Sequence, residues 1–239
     1  ERSLADTPPA PHDTCQWILH GRLLAGSFPG DRTEPWHSAK VRSLIDAGVT
    51  TFLCLQETGE LRRFTPYMAL AKRLKAEKLG EEELQGSEAA ASSALDFFHC
   101  PTPDCSVTST DAVLAGLRTI VSKLREGATV YVHCWGGHGR TGTMICAFLA
   151  ACYGLTPEQA QEFYNTGERR RGARNGYWPA SQAQYDQVEA IAALTVQDIW
   201  AEPRLLEPLM DWDLGRPRPP ADSGGSWCGC DSISVAPKT

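Results

Sequence analysis

The spacing of apolar residues along the chain predicts strands that alternate with helices. Between residues 110 and 125, apolar side chains recur every three or four positions, which is the period of an amphipathic helix. Continuous apolar runs at 49–55 and 129–132 predict buried strands instead. Further strands are predicted at 17–25 and 95–99, and further helices at 36–47, 67–78, 141–153, from 156 onward and at 181–193. This alternation predicts an α/β fold in which a central sheet, mainly parallel or mixed, is flanked by helices.

The two ends of the chain differ in composition from its middle. Residues 1–16 are rich in Pro and Asp, and residues 200–239 are rich in Pro and Gly. We therefore predict a flexible N-terminal segment and a C-terminal tail that packs by a few Trp and Leu contacts or not at all. Residues 17–199 should form one folded domain. Within this domain, residues from about 77 to 94 are rich in Glu, Ala and Ser, and we expect a variable surface excursion there.

The overall charge limits the classes of partner that we expect. A formal net charge of −6 opposes association with nucleic acid or with anionic membranes, so any anion needs a local positive site. No apolar run reaches the roughly 18–20 residues that cross a bilayer, and we expect no membrane span. Nine cysteines, an odd number, favour a reducing intracellular compartment, either the cytoplasm or an organelle stroma. The first residue is Glu1, which leaves open that a targeting segment was trimmed, and we expect a monomer.

One segment, at residues 130–142, runs from an apolar strand through a glycine-rich loop into an apolar helix. Glycines let backbone N–H groups point inward, and a helix N-terminus adds about half a positive charge, so the segment predicts an anion site. Cys134 at the floor of the loop would be stabilised as the thiolate. Arg140 can offer two parallel donors to phosphate oxygens, and the Thr141 hydroxyl can donate to the sulfur. The loop residues expected around the anion are Trp135, Gly136, Gly137, His138 and Gly139.

The same segment does not predict a metal site. His133, Cys134 and His138 lack the usual spacing of zinc ligands, and Arg140 would repel a cation. A structural cysteine buried at a tight turn is the other alternative, which the surrounding glycines and the arginine disfavour. We expect an anion site without a metal.

The pattern His-Cys-x5-Arg-Thr at 133–141 resembles the signature of the cysteine-dependent protein tyrosine phosphatase superfamily. Residues 21–30 are similar to the first strands of its dual-specificity-like branch, and the resemblance covers about 17–193. It implies that the Cys134 thiolate attacks phosphorus to form a phosphocysteine while an acid protonates the leaving oxygen. The family carries this acid on an Asp about 30 residues before the nucleophile, which is where Asp104 stands in Pro-Thr-Pro-Asp. No cofactor is implied.

Two other carboxylates compete for the role of the acid, Asp96 within a predicted strand and Asp111 at the start of a predicted helix. The resemblance also implies supporting roles for two residues. His133 would brace the loop, although an ordinary core histidine is the alternative. Gln184 would orient the water that hydrolyses the phosphocysteine, although a place on the first turn of a helix capped by Ser181 is the alternative.

Three further cysteines, Cys54, Cys100 and Cys105, are candidates for a disulfide with an oxidised Cys134. Buried core thiols are the alternative for these residues. Because the loop cysteine would be a reactive thiolate, we expect it to be redox-sensitive.

Basic and aromatic residues outside the loop suggest additional contacts to substrate. Arg62, Arg63 and Tyr67 follow a predicted strand and could line the mouth of a pocket, with simple packing as the alternative. Arginines within 168–174 could bind a second phosphate, with a solvated basic face as the alternative.

The resemblance implies a phosphatase that hydrolyses phosphate monoesters on phosphotyrosine or dual-specificity protein substrates. A phosphatase of an inositol, sugar or lipid phosphate is one alternative, and a non-catalytic phosphate-recognition module is another. An arsenate reductase or a sulfurtransferase on the same loop is a third, although these enzymes do not need an acid such as Asp104. The expected partner is a phosphorylated protein or a small phosphomonoester, and not nucleic acid.

Overall fold

Five strands form a mixed sheet in the computed structural model, which describes residues 9–84, 94–170, 178–200 and 205–209. The strands are β1 (Cys15–Leu19), β2 (Leu23–Gly26), β3 (Val49–Cys54), β4 (Asp96–His99) and β5 (Thr129–His133). Their order in the sheet is β1-β2-β5-β3-β4. β1 is antiparallel to β2, and all other neighbouring pairs are parallel. The predicted α/β fold with a mainly parallel sheet is confirmed.

The helices are α1 (Trp36–Asp46), α2 (Thr58–Leu61), α3 (Met68–Leu84), α4 (Thr110–Arg125), α5 (Gly139–Tyr153), α6 (Pro157–Arg170), α7 (Gln182–Ala192) and α8 (Val196–Trp200). The short helices α2 and α8 were not predicted, because one turn is too short to show a helical period. α3 continues past its predicted end at 78, since the residues that follow include the good helix formers Glu and Leu. Among the described residues, no helix has both the length and the apolar character needed to cross a membrane.

Two hydrophobic cores lie on opposite faces of the sheet. Side chains of β5 alternate between them, because Val130 and Val132 pack in the first core and Tyr131 packs in the second. The first core is covered by α4, α5, α6 and α7, and the second by α1 and α3. α5 is buried on all sides from Arg140 to Ala150, as its apolar sequence predicted. The loop that precedes α5 therefore lies between a sheet strand and a helix that is buried from its first turn.

The folded part begins earlier than the predicted boundary between residues 16 and 17. Cys15 and Gln16 are buried, and Cys15 pairs with Gly26 in the ladder between β1 and β2. Ser27 N also donates to Thr14 O (3.0 Å). Assignment of these residues to a flexible segment was wrong because a Pro-rich composition hid a short edge strand. Residues 1–8, and 85–93 of the predicted excursion, lie outside the described residues.

A short piece of the C-terminal region, residues 205–209, packs on the edge of the sheet at β4. Leu209 N donates to Phe97 O (2.7 Å), and His99 N donates to Glu207 O (3.3 Å). Exposed strand edges are prone to pairing with other chains, and this segment covers one of them. The expectation of a few leucine contacts in the tail agrees with this segment, and 210–239 lie outside the described residues.

We predict that Leu209→Ala lowers the free energy of unfolding by about 2 kcal/mol, because a side chain that is 8% exposed leaves the second core. Leu205→Ala is the matched control, because Leu205 is 39% exposed and surface substitutions change stability by at most about 0.5 kcal/mol. Urea unfolding of both variants measures the difference. Equal stability in the two variants would contradict the docking of this segment.

Candidate active site

The carboxyl ends of β2, β3, β4 and β5 lie at one edge of the sheet, because these four strands are parallel. Loops that follow β3, β4 and β5 bring Glu60, Asp104 and Cys134 to this edge. Open α/β sheets bind ligands at the carboxyl ends of their strands. The structure thus places the predicted anion loop and the predicted acid at the edge where a ligand is expected.

Cys134 lies directly after β5 and is buried under its own loop. Gly137 N donates a hydrogen bond to Cys134 Sγ (3.3 Å). Gly137 has φ of +77°, and a Cβ at this position would lie 2.3 Å from the carbonyl carbon of Gly26. Only glycine fits here, because the loop needs both the left-handed backbone and the close approach to β2. One of the predicted inward-pointing backbone N–H groups, that of Gly137, therefore reaches the sulfur.

Contacts from two other parts of the chain hold this predicted phosphate-binding loop from outside. Phe28 N donates to Trp135 O (2.9 Å), and Tyr164 OH donates to Gly137 O (2.5 Å). His138 is the N-cap of α5, which begins at Gly139, two residues earlier than predicted. Cys134 and the amino end of the helix are therefore fixed relative to each other.

Arg140 is the most connected polar residue of the site. Its Nη1 donates to Glu60 Oε2 (2.5 Å) and to Thr102 O (3.1 Å). Its Nη2 donates to Glu60 Oε1 (3.0 Å) and lies 2.9 Å from Asp104 Oδ1. Burial lowers the pKa of Arg140, but the hydrogen bonds that Arg140 donates to Glu60 and the charges of Cys134, Asp104 and Glu60 outweigh burial and raise this pKa. The guanidinium therefore stays charged.

The Nε of Arg140 is buried and makes no hydrogen bond to any described residue. A guanidinium has five N–H donors, and the four on Nη1 and Nη2 are taken by the contacts above. Among the described residues, Nε is thus the donor of Arg140 that has no partner, and its contact to an anion remains a prediction.

Glu60, the partner of Arg140, was not singled out from the sequence. It lies on α2, where its Oε2 also accepts from Glu57 N (2.9 Å) in a capping box. The signal that could have found Glu60 is its position after β3, the strand beside β5, because parallel neighbouring strands deliver their loops to one edge. A lone Glu in the sequence does not show this proximity.

Asp104 lies in a turn whose ends are both held. Ser106 N donates to Pro103 O (3.2 Å), and Thr102 N donates to Leu55 O (3.0 Å). Cys105 follows Asp104 with φ of +52°, an uncommon left-handed conformation for a residue other than Gly. The Asp104 side chain is 50% exposed. It is thus both reachable from solvent and in contact with the arginine of the loop.

The two rival carboxylates lie elsewhere. Asp96 begins β4 and forms an ion pair with Lys123 (2.9 Å). Asp111 lies in the first turn of α4, as a helix first-turn carboxylate does. Of the three candidates, Asp104 is the one that contacts Arg140, and its catalytic role remains a prediction.

His133 is fully buried behind the loop. Its Nε2 lies 2.9 Å from Tyr67 OH, and its Nδ1 lies 3.4 Å from Cys134 O. Burial lowers the pKa of His133 to about 3, so the ring is neutral at physiological pH. The position agrees with bracing of the loop. Tyr67 is itself buried in the second core, so the suggestion that it lines the pocket mouth was wrong.

Two other predicted residues also lie at the site. The Thr141 hydroxyl is buried and makes no hydrogen bond to any described residue, so its contact to the sulfur remains a prediction. Gln184 is buried on α7, and both ends of its amide are bonded, to Ala180 N (2.9 Å) and to Ser106 O (3.1 Å). Ser181 precedes the helix but makes no capping hydrogen bond, so that part of the alternative was wrong.

The other candidate cysteines are thiols in the core or near the acid. Cys54 ends β3 beside His133, and burial raises its pKa to about 12. Burial also raises the pKa of Cys100 to about 12. Cys105 is half-buried beside Asp104. A disulfide between one of them and Cys134 remains a prediction.

Together these contacts define the class of the protein. A buried cysteine and arginine frame a loop between a strand and a helix N-terminus, and a carboxylate from the next loop contacts the arginine. This is the arrangement of a cysteine-dependent phosphatase domain. The chain belongs to the family described as PTP-SAK, Swiss Army Knife protein, DSP-PTPase phosphatase domain, whose model matches residues 12–195.

Curated relatives match over shorter stretches. The chain is 46% identical over 57 residues to phosphatidylinositol 3,4,5-trisphosphate 3-phosphatase ptn1 of Schizosaccharomyces pombe, covering 24% of this chain and 16% of that protein. It is 29% identical over 144 residues to protein tyrosine phosphatase domain-containing protein 1 of Mus musculus, covering 60% of this chain and 18% of that protein. The chain thus spans less than a third of the length of these relatives.

Solved structures share the fold. PTPMT1 in complex with PI(5)P has a TM-score of 0.56 at 18% identity, over 78% of this chain and 97% of that one. Tk-PTP in the active form has a TM-score of 0.53 at 22% identity, over 75% of this chain and 96% of that one. These likenesses confirm the phosphatase fold.

We predict that Glu60→Gln lowers kcat/KM for an aryl phosphate by about 10- to 100-fold, because Arg140 loses its bidentate partner and its fixed position. The measurement is steady-state release of p-nitrophenol. Glu77→Gln is the matched control, because it removes an exposed ion pair to Arg42 (3.2 Å) far from the loop. Equal kinetics in wild type and Glu60→Gln would contradict the positioning role of Glu60.

We predict that His133 makes the protein less stable as the pH falls from about 6.5 toward 3. The folded pKa of His133 is lowered to about 3, so the unfolded chain binds more protons in this window and unfolding becomes easier on acidification. The effect at pH 4.5 should be roughly 1–3 kcal/mol. Urea unfolding at pH 7 and pH 4.5 measures the free energy of unfolding that is lost on acidification. This loss should be smaller in His133→Asn than in wild type. His20→Asn, at an exposed site, is the control that should keep the wild-type loss.

Proposed function

We propose that the protein hydrolyses phosphate monoesters through a phosphocysteine at Cys134. The thiolate forms an S–P bond as the bond from phosphorus to the ester oxygen breaks, and Asp104 gives its proton to that oxygen. Water then attacks phosphorus, the S–P bond breaks, and Asp104 takes up the proton of the water. One observation carries this proposal: the buried guanidinium of Arg140 joins the Cys134 loop to the turn that holds Asp104.

The contacts of Arg140 suggest how substrate enters this cycle. A phosphate held by two parallel donors needs Nε and one N–H of Nη2, and the latter is engaged by Asp104. While Asp104 Oδ1 is on Nη2, the side chain is directed at the guanidinium and not at a leaving group. We infer that the phosphate displaces Asp104 from Nη2, which frees Asp104 to approach the ester oxygen. Glu60 keeps Arg140 in place during this exchange.

Phosphotyrosine or dual-specificity protein substrates are the proposed substrate class. The loop residues 135–139 contain no lysine, which disfavours a polyanionic head group directly over the reacting phosphate. Of the two curated relatives named above, the mouse protein matches over the longer stretch, and its name includes a protein tyrosine phosphatase domain. We further propose that the domain acts as a monomer and that it works in a reducing compartment. The seven free thiols among the described residues support the reducing compartment.

A lipid or inositol phosphate is the second candidate, and one observation favours it. Arg62 and Arg63 are exposed and follow Glu60, which contacts the loop arginine. Phe64 comes next and lies edge-on against Trp135 of the loop, with ring centroids 5.1 Å apart. Both arginines lie in the sequence between two residues that contact the loop or its arginine, and we propose that their side chains lie at the rim of the site. A second anionic group on the substrate would be attracted there. The basic run at 168–174 lies outside the residues whose side chains are described.

We predict that Cys134→Ser abolishes release of p-nitrophenol, because the hydroxyl is a far weaker nucleophile than the thiolate. Asp104→Asn should lower turnover of phenyl phosphate by about 100-fold or more, and that of p-nitrophenyl phosphate much less, because a poor leaving group needs the proton. Asp96→Asn is the matched control and should behave as wild type. Wild-type activity in Cys134→Ser would refute the mechanism, and an Asp104→Asn loss that is equal for both esters would remove Asp104 as the acid.

We predict for the second candidate that Arg62→Ala with Arg63→Ala raises KM for a soluble inositol bisphosphate head group about tenfold and leaves KM for a phosphotyrosine peptide without acidic residues unchanged. The measurement is phosphate release from both substrates. Arg73→Ala, which removes an exposed ion pair to Glu77, is the control. Unchanged KM for both substrates in the double variant would eliminate this candidate.

A further inference from the structure

We propose that Gln184 is a positioning residue that holds the Asp104 turn against the phosphate-binding loop and so aligns proton donation to the leaving group. This proposal rests on the proposed function, in which Asp104 is the acid. It differs from the water-orienting role that the resemblance implies for Gln184, because it assigns Gln184 to the first chemical step.

The contacts of the Gln184 amide carry the proposal. The side chain is 0% exposed, its Oε1 accepts from Ala180 N (2.9 Å) and its Nε2 donates to Ser106 O (3.1 Å). Ser106 is two residues after Asp104 and closes the turn through its N–H to Pro103 O. The amide therefore fixes the exit of the turn that carries the acid.

A second glutamine extends this attachment along α7. Gln187 Nε2 donates to Thr108 O (2.5 Å), one turn further along the helix. The entry of the turn is held separately, because Thr102 N donates to Leu55 O, directly after β3, and Thr102 O accepts from Arg140 Nη1. The α7 contacts therefore hold the exit of the turn, in addition to the contacts at its entry and the contact of Asp104 with Arg140.

The same amide lies against the phosphate-binding loop. A Cβ built on Gly139 would lie 3.0 Å from Gln184 Nε2 and 2.9 Å from Ala180 Cβ. The backbone of the loop and the amide are therefore in close packing. Gln184 thus lies between the two loops whose relative position sets the distance from the acid to the leaving oxygen.

This arrangement sets a specific kinetic expectation. Misalignment of a general acid slows the step in which the ester bond breaks, and the loss grows as the leaving group becomes poorer. A residue that orients water instead affects breakdown of the phosphocysteine, which is the same for every substrate. Dependence on the leaving group therefore separates the two roles.

The test compares Gln184→Glu and Gln184→Met with wild type on a series of aryl phosphates. The first variant keeps an acceptor for Ala180 N but cannot donate to Ser106 O, and the second removes both hydrogen bonds without opening a large cavity. Gln182→Ala is the matched control on the same helix, because it removes an exposed hydrogen bond to Asp186 (2.7 Å). Thermal unfolding of each variant identifies those that fold, and the Met variant replaces the Glu variant if burial of the charge prevents folding.

We expect kcat/KM to fall about tenfold for phenyl phosphate and less than about threefold for p-nitrophenyl phosphate in the Gln184 variants, with Gln182→Ala unchanged. When Gln184→Met is added to Asp104→Asn, any further loss of kcat/KM should be the same for all esters, because no acid remains to be aligned. A burst of phenol followed by a slow step equal for all esters would overturn the proposal in favour of water orientation. An equal loss of kcat/KM for all esters would also overturn it.

Failure of the proposed function gives a different result. If the loss of kcat/KM in Asp104→Asn does not depend on the leaving group, Asp104 is not the acid and the Gln184 proposal fails as well. If the loss in Asp104→Asn depends on the leaving group and the loss in the Gln184 variants does not, only the Gln184 proposal fails.

Discussion

The site depends on one buried guanidinium. Arg140 contacts Glu60 after β3 and Thr102 and Asp104 after β4, and it lies in the first turn of the helix that follows β5. Three loops from three adjacent parallel strands therefore converge on one side chain. Bidentate pairing with a carboxylate gives this contact a defined geometry that a lysine could not reproduce.

A buried charge of this kind is tolerated because its partners satisfy it. Desolvation alone would favour the neutral form of Arg140, and a lone buried cation would cost several kcal/mol. Glu60 offsets that cost, and the sheet order β5-β3-β4 makes the pairing possible by placing the three loops side by side. One N–H, on Nε, has no partner among the described residues, and in the proposed cycle it is a donor to the phosphate. Packing of the three loops and the proposed binding of phosphate thus depend on the same side chain.

The loop chemistry could be predicted from the sequence because it is local. Cys134, its glycines and Arg140 lie within one short segment, so a strand, a loop and a helix N-terminus suffice to relate them. Asp104 could be found from its distance to Cys134 and its place after a strand. The α/β class could be predicted from the spacing of apolar residues alone, because this spacing differs between buried strands and amphipathic helices.

The remaining features depend on tertiary placement that no local pattern records. Glu60 is an ordinary acidic residue until β3 is known to lie beside β5. Gln184 is an ordinary helical glutamine until α7 is known to pack near Ser106 and Gly139. The strand at Cys15 and the pairing of 205–209 with β4 were missed for the same reason, since their Pro-rich surroundings suggested loose chain while ladder hydrogen bonds fix them.

In the proposed cycle, the guanidinium of Arg140 exchanges its contact to Asp104 for a contact to phosphate while Glu60 holds it in place. A crystal structure of the complex with orthovanadate, a phosphate analogue, tests this most directly. We predict vanadium bonded to Cys134 Sγ, equatorial oxygens at Arg140 Nε and Nη2, Glu60 still paired with Arg140, and Asp104 moved from Nη2 to the apical oxygen. Vanadate bound away from Cys134, or Asp104 still bonded to Nη2 with vanadate in the loop, would contradict the account.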